Sequence, residues 1–264
     1  MPELPDLEVF KINVFNRLTS KRLIGLEIFN QNKVNNLQAK LIDGLKGRDL
    51  LNINRIGKEL IFDFGDKKIV TAHLMLNGEM SIVNEADIGE IKYKIFSFYF
   101  EKEALVFRDM GGLCTIKYMP EINKTPDVFD DTFTLKYFLD TAHKKPRVNV
   151  KAFLIDQNIT KGIGNAYADE ILWAARISPR SIIGKIPDDV LTTLYKNIGS
   201  VLRNAIESIK SISPDIISGE ERSFLKVHNK TKKKTETGYP IITERIVSKI
   251  TYYTEEQVLY DWFH

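Results

Sequence analysis

Residues Phe153–Pro179 read FLIDQNITKGIGNAYADEILWAARISP, and this run organises the second half of the chain. VKAFLIDQ (150–157) has helical spacing, and NAYADEILWAAR (165–176) has it again. Between them Gly162 and Gly164 permit a sharp turn, and Asn165 stands at the position of an N-cap. A helix start preceded by glycines presents backbone amides to an anion, so this turn is suited to grip a DNA phosphate. It reads equally well as a capped helix after a glycine turn, and spacing alone leaves the two even.

Working outward, FTLKYFLDTAHKK (133–145) and DDVLTTLYKNIGSVLRNAIESIK (188–210) are also helical by period. After Ser211 the alternation returns to β in SFLKVHN (223–229), GYPIITERIV (238–247) and SKITYYTEEQ (248–257), the last two forming a hairpin. The first half differs. An amphipathic helix over Leu4–Leu18 precedes a strand, RLIGLEIFN (22–30), and a short helix, VNNLQAKLIDGLKGR (34–48). Five β runs follow: DLLNINRI, ELIFDFG, KIVTAHLML, KYKIFSFYFE and ALVFRDM. That density predicts a β-sandwich or barrel carrying one N-terminal helix. The stretch MPEINKTPDVFDD (119–131), with two prolines and few core residues, sets a boundary between domains at 1–130 and 131–264.

With 264 residues, 43% apolar and 28% charged, the composition is that of a globular protein of one or two domains. No apolar run reaches the roughly 20 residues that span a bilayer, and the acidic start is no signal peptide, so a cytoplasmic protein is expected, nucleoid-associated if bacterial. The single cysteine, Cys114, excludes an internal disulfide and a thiolate zinc site; in its apolar run it reads as a buried structural thiol. Net charge is only +3, but HNKTKKKTETG (228–238) gathers four lysines and one acid, a solvated tip or a phosphate-facing surface.

The chain opens MPELPDLE. Pro2, Glu3, Asp6 and Glu8 suit a positive helix start. They also suit chemistry: once the initiator Met is removed, Pro2 is a secondary amine with a pKa of about 8, able to act as a nucleophile near neutrality.

Three motifs decide between these readings. FLIDQNITKGIGNAYADEILWAARISP closely resembles the helix-two-turn-helix segment of the formamidopyrimidine-DNA glycosylase and endonuclease VIII family. MPELPDLE resembles that family's N-terminal MPELPEVE, and NRIGKELIF (54–62) its strand-borne GK motif, all in family order and spacing over essentially the whole chain. The resemblance implies an α+β fold: an N-terminal β-sandwich with an N-terminal helix, then a helical helix-two-turn-helix domain ending in a β-hairpin finger over about residues 222–264.

It also implies roles. Pro2 would attack C1′ of the damaged nucleotide and hold it as a Schiff base, with Glu3 assisting sugar opening and Lys58 meeting the phosphate and helping strand cleavage. His73 of HLMLNG and Asn165 match the family's phosphate contacts, with Gly164 in the same turn. Lys249 stands where the family usually has an arginine on its finger, and Leu76 replaces a methionine that fills the gap left by the extruded base. The second filling turn departs further: in DMGGLC (109–114) Gly112 replaces an arginine and Leu113 a phenylalanine. Glycine offers no side-chain donor to a base edge. Asp6 shortens the family's usual glutamate.

At the finger's usual cysteine positions stand Lys234, Thr237, Thr254 and Gln257, which make no zinc site. A zinc-less finger held by packing of Pro240, Ile241, Tyr252 and Tyr253 is expected, with no metal and no cofactor. The segment between Ser213 and Phe224 is short for the loop with which some family members cover 8-oxoguanine.

The expected function is a monomeric DNA-repair glycosylase with abasic-site lyase activity, acting on damaged, oxidised bases in double-stranded or abasic DNA. A relative that binds damaged or unusual DNA without excising a base is the alternative, favoured by the altered filling turn; retention of Pro2, Glu3 and Lys58 favours the enzyme.

Overall fold

The computed structural model describes residues 1–121 and 123–261. It divides into two compact units: Met1–Asn123 with Ile209–Glu220, and Lys124–Ser208 with Glu221–His264.

The first unit begins with helix α1 (Leu4–Leu18), whose Leu7, Phe10, Val14 and Leu18 recur at helical spacing and enter the core. Strand β1 (Leu23–Ile28) and helix α2 (Gln38–Leu45) follow. Then come β2 (Asn52–Ile56), β3 (Glu59–Asp63), β4 (Ile69–His73), β5 (Glu79–Asn84), β6 (Lys94–Phe100), β7 (Glu103–Arg108) and β8 (Thr115–Tyr118). They form two antiparallel four-stranded sheets in the orders β1-β6-β7-β5 and β2-β3-β4-β8. In β6 the period of two puts Phe96, Phe98 and Phe100 in the core with Phe107 of β7, where they meet Phe62 and Phe64 of the other sheet. Phe98 lies 5.6 Å from Phe62 and 5.5 Å from Phe64 between ring centroids, so the sandwich is closed by aromatic packing.

The second unit contains α3 (Leu135–Lys144), α4 (Val150–Ile155), α5 (Asn165–Ala174) and most of the long α6 (Asp188–Ile212), then a hairpin of β9 (Ile242–Ile246) and β10 (Lys249–Tyr253). Thr134 caps α3 by accepting from the Tyr137 amide, and Asn149 caps α4 by accepting from Lys151 and Ala152. No described helix is long and apolar enough to cross a membrane.

The mixed α+β architecture matches expectation, with differences in detail. β5 and β8 were not anticipated: β5 is largely half-exposed and β8 is only four residues long, so neither carries a strong alternation. SFLKVHN, expected as a strand, forms none. The amides of Lys226, Val227 and His228 instead donate to the Glu170 carboxylate at 2.8, 2.8 and 2.7 Å, which takes them out of any ladder.

The β9–β10 turn carries backbone strain. Val247 and Ser248 have φ of +49° and +61°, a left-handed pair that normally selects Asn and Gly. The double substitution Val247→Asn, Ser248→Gly is expected to stabilise the hairpin by about 1–2 kcal/mol, read as slower hydrogen exchange of β9 and β10 amides.

Candidate active site and nucleic-acid interface

In the first unit the chain start is held rigidly. Pro2 and Glu3 are buried, and the Glu3 amide donates to the Asp6 carboxylate at 2.9 Å. Asp6 is itself fully buried, so the shorter acid serves the helix start rather than opening into solvent.

One turn further along α1, Glu8 accepts from Arg55 Nε at 2.8 Å, and Arg55 Nη1 donates to the Gly57 carbonyl at 3.0 Å. Gly57, with φ +61°, makes the β2–β3 turn that carries Lys58. This chain of bonds ties the helix bearing Pro2 and Glu3 to the turn bearing Lys58. Burial pushes the Glu8 carboxyl up, but Lys11 and Arg55 outweigh it and hold Glu8 below its ordinary value.

His73 ends β4, paired with Glu59 of β3, the residue after Lys58. Its Nδ1 accepts from the Met75 amide at 3.0 Å, so the neutral ring carries its proton on Nε2. Burial pushes this imidazole below its ordinary pKa; Glu59 opposes, while Lys58 and Lys117 push the same way as burial. His73 is therefore a neutral donor at pH 7, set in the same field as Lys58.

The turn after His73 leaves Leu76 exposed at 56%. A β-carbon on Gly78 would lie 2.1 Å from the Leu74 carbonyl oxygen, so only glycine closes this turn. The second turn is built around Asp109, whose carboxylate accepts from the amides of Gly111 (2.8 Å), Leu113 (2.6 Å) and Cys114 (2.8 Å). Gly112 has φ +60°. Met110 and Leu113 are exposed at 75% and 37%. A β-carbon on Gly111 would lie 3.8 Å from Asn77 Nδ2, so the two apolar turns are neighbours. Cys114 is buried, and its thiol is pushed up to about 12, first by burial and then by Asp109.

In the second unit the glycine turn is stapled by Gln157. Its Oε1 accepts from the Gly162 amide at 3.1 Å, and its Nε2 donates to the carbonyls of Ile155 and Ile163 at 2.9 and 2.8 Å. Gly162, at φ +110°, permits the reversal. The N-cap of α5 is Gly164 and not Asn165: Gly164 is extended and its carbonyl accepts from Ala168 at 3.0 Å. Asn165 opens the helix proper, and its Nδ2 donates across to the Ile250 carbonyl at 2.9 Å. Asn165 is thus brought to the start of β10, where Lys249 is exposed.

Beneath them lies a cluster that sequence reading did not single out. Lys151 and Asp169 are fully buried and paired at 2.7 Å. Lys151 also donates to Thr251 Oγ1 at 2.6 Å, while Asp169 meets His228 Nδ1 at 2.7 Å and accepts from the Tyr252 amide at 3.0 Å. The signal was the acidic pair in NAYADE, whose two carboxylates fall on the buried side of α5.

Of the expected packing residues Tyr253 is buried, Tyr252 lies 4.6 Å from His228 between ring centroids and Ile241 is half-buried, whereas Pro240 is exposed, and polar bonds add to this packing. Glu256 accepts from Thr237 Oγ1 (2.8 Å), Thr254 Oγ1 (3.1 Å) and Trp173 Nε1 (3.3 Å), and pairs with Arg176. Gln257 accepts from the Thr254 amide at 2.9 Å and donates to the Ile177 carbonyl at 2.8 Å. Of Lys234, Thr237, Thr254 and Gln257, the last three thus sit in one hydrogen-bonded network. Their hydroxyl and amide oxygens do not fit zinc, and no group of three or more His, Cys, Asp or Glu among the described residues could hold a metal.

Residues 1–116 match the formamidopyrimidine-DNA glycosylase N-terminal domain, and residues 125–215 the formamidopyrimidine-DNA glycosylase H2TH domain. The chain is 30% identical over 261 residues to a formamidopyrimidine-DNA glycosylase of Carboxydothermus hydrogenoformans, covering 96% of this chain and 98% of that protein. It is 27% identical over 247 residues to the enzyme so named in Lactococcus lactis, covering 89% and 90%. Its fold is similar to that of Lactococcus lactis Fpg in a complex with an abasic site containing DNA, with a TM-score of 0.85 at 24% identity, over 96% of this chain and 98% of that one.

Burial pushes the Glu256 carboxyl up, but Arg176, Thr237, Thr254 and Trp173 together hold it below its ordinary value. A depressed pKa contributes stability above the unfolded value that is lost as pH falls through the folded one. Glu256→Ala is expected to lower finger hydrogen-exchange protection about tenfold or more at pH 7, as orphaned buried donors require. Wild-type protection should fall on acidification below the ordinary glutamate range.

Proposed function

Because the chain belongs to the formamidopyrimidine-DNA glycosylase family, DNA glycosylases of damaged-base repair, we propose that it is bifunctional, excising the base and cutting the resulting abasic site through a Schiff base on Pro2. The observation that carries this reading is the Glu8–Arg55–Gly57 chain of bonds, which couples the amino terminus to the Lys58 turn. A binding protein has no physical need to keep Pro2 as a free amine beside the Glu3 carboxylate.

In the proposed reaction Met1 has been removed. The Pro2 nitrogen forms a bond to C1′ as the bond from C1′ to the base breaks, and the proton shed by that nitrogen goes to the departing base, which leaves neutral. The sugar C1′–O4′ bond then opens, with Glu3 supplying a proton to O4′, and an iminium results. Loss of a C2′ proton expels the 3′ phosphate, whose charge Lys58 and the His73 Nε2–H meet. Gly164 and Asn165 present a backbone amide and the second Nδ2 hydrogen to the DNA backbone, with Lys249 beside them. Leu76 fills the space vacated by the extruded base.

Borohydride added to the mature protein with abasic-site DNA is expected to trap a covalent adduct, and Pro2→Gly or a blocked amino terminus should abolish it. No wild-type adduct, with binding retained, would leave the alternative of a lesion-binding protein. If Lys58 and Lys249 each neutralise a phosphate, while neutral His73 and Asn165 add hydrogen bonds alone, log K should fall against log[salt] with a slope of about minus two. A nearly flat line would remove those assignments.

A further inference from the structure

After α6 the chain does not leave the first unit at once. Asn13 on α1 donates through Nδ2 to the carbonyls of Pro214 and Ile216, at 2.7 and 2.8 Å. Ile216 and Ile217 pack against the sandwich core, and Ser218 Oγ accepts from the Met80 amide at 3.2 Å. Gly219, at φ +83°, then turns the chain. The next side chain, Glu220, takes the amino group of Met1 in an ion pair. A segment anchored at four points thus delivers one carboxylate to the first nitrogen of the chain.

We propose that Glu220 is a further catalytic residue, the proton acceptor for the Pro2 amine. This rests on the reading of Pro2 as nucleophile. Removal of Met1 makes Pro2 nitrogen the terminal one, and successive Cα atoms are only about 3.8 Å apart, so the carboxylate that held the first amine is within a side-chain rotation of the second. An amine with a pKa of about 8 is mostly protonated at pH 7, and an adjacent carboxylate raises that value further. Such a pair is productive when the carboxylate itself takes the proton.

On an abasic aldehyde the step balances. The Pro2 ammonium gives one proton to Glu220, its nitrogen lone pair bonds to C1′, and the carbonyl π electrons move to oxygen. That oxygen collects the second ammonium proton and the one returned by Glu220, and leaves as water, giving the iminium. The other titratable groups on the elements meeting here are Glu3 at the N-cap of α1, Asp6, Glu8, Lys11 and Arg17 on α1, Asp215 on the same segment, and Glu79 on β5, which pairs with Arg108.

The test is the pH dependence of single-turnover borohydride trapping on abasic DNA, using protein whose Met1 loss is verified by mass. Wild-type trapping is expected to fall only in the carboxylate range, at about pH 4–5. In Glu220→Gln and Glu220→Ala the acid limb should move to the amine range near pH 8, so that trapping at pH 6 is about a hundredfold slower than at pH 9. Glu220→Asp should keep the acid limb of the wild type. Binding to DNA bearing a stable abasic-site analogue checks that each variant is folded. A limb that stays in place in either folded removal variant, even with a uniformly lower rate, would assign Glu220 a structural role and overturn the proposal. Absence of any wild-type adduct would overturn the Pro2 reading and this one with it, whereas normal trapping with an unmoved limb defeats only the role of Glu220.

Discussion

The ion pair between Glu8 and Arg55 is the constraint on which the placement of α1 against the Lys58 turn depends. Arg55 is only 3% exposed through its side chain, so its charge is committed to the protein interior, and an uncompensated partner there would be strongly unfavourable. The same guanidinium bonds the carbonyl of Gly57, which makes one side chain the brace between a helix and a turn. A helix start alone frays. Here the first turn of α1 is pinned from within by Asp6 and from below by Glu8, while Leu7, Phe10 and Val14 anchor the helix in the core.

The second unit follows a comparable logic with different residues. The buried Lys151–Asp169 pair joins α4 to α5, and both charges reach β10 or the segment before it through Thr251, Tyr252 and His228. Asn165 adds a bond to the Ile250 carbonyl. The glycine turn and the finger are therefore one built surface within this unit. The hairpin region is tied by Glu256, which gathers two hydroxyls, an indole N–H and a guanidinium. A carboxylate accepting several donors is a directional centre with limits that a metal lacks, because it titrates.

Much of this was legible in the sequence where one physical signal was strong. The helical period of α1 and α6, the Phe alternation of β6 and the glycine turn before α5 all read correctly. Failures came where tertiary partners outweighed local pattern. SFLKVHN alternates like a strand, but three of its amides bond to a carboxylate 56 or more residues earlier. Asn165 has the side chain of an N-cap, but its amide finds Ile250 and leaves capping to Gly164. Glu256 and Glu220 carry no local mark in the sequence, since a linear run does not show which acids a folded chain will converge upon. At the candidate site, the motifs supplied residue names; Arg55, Asp109 and Gln157, which position those residues, emerged only from the three-dimensional contacts.

Cys114 gives the Asp109 turn a property of another kind. Its thiol is buried, and burial together with the neighbouring carboxylate disfavours the thiolate, the form that reacts with peroxides and disulfides. It is also the chain's one cysteine, and the finger is held by oxygen and nitrogen donors. The described chain therefore presents no exposed thiol to an oxidant, while the thioether of Met110 in the same turn stays open to it. The conditions that oxidise DNA bases would leave this chain's thiol chemistry untouched.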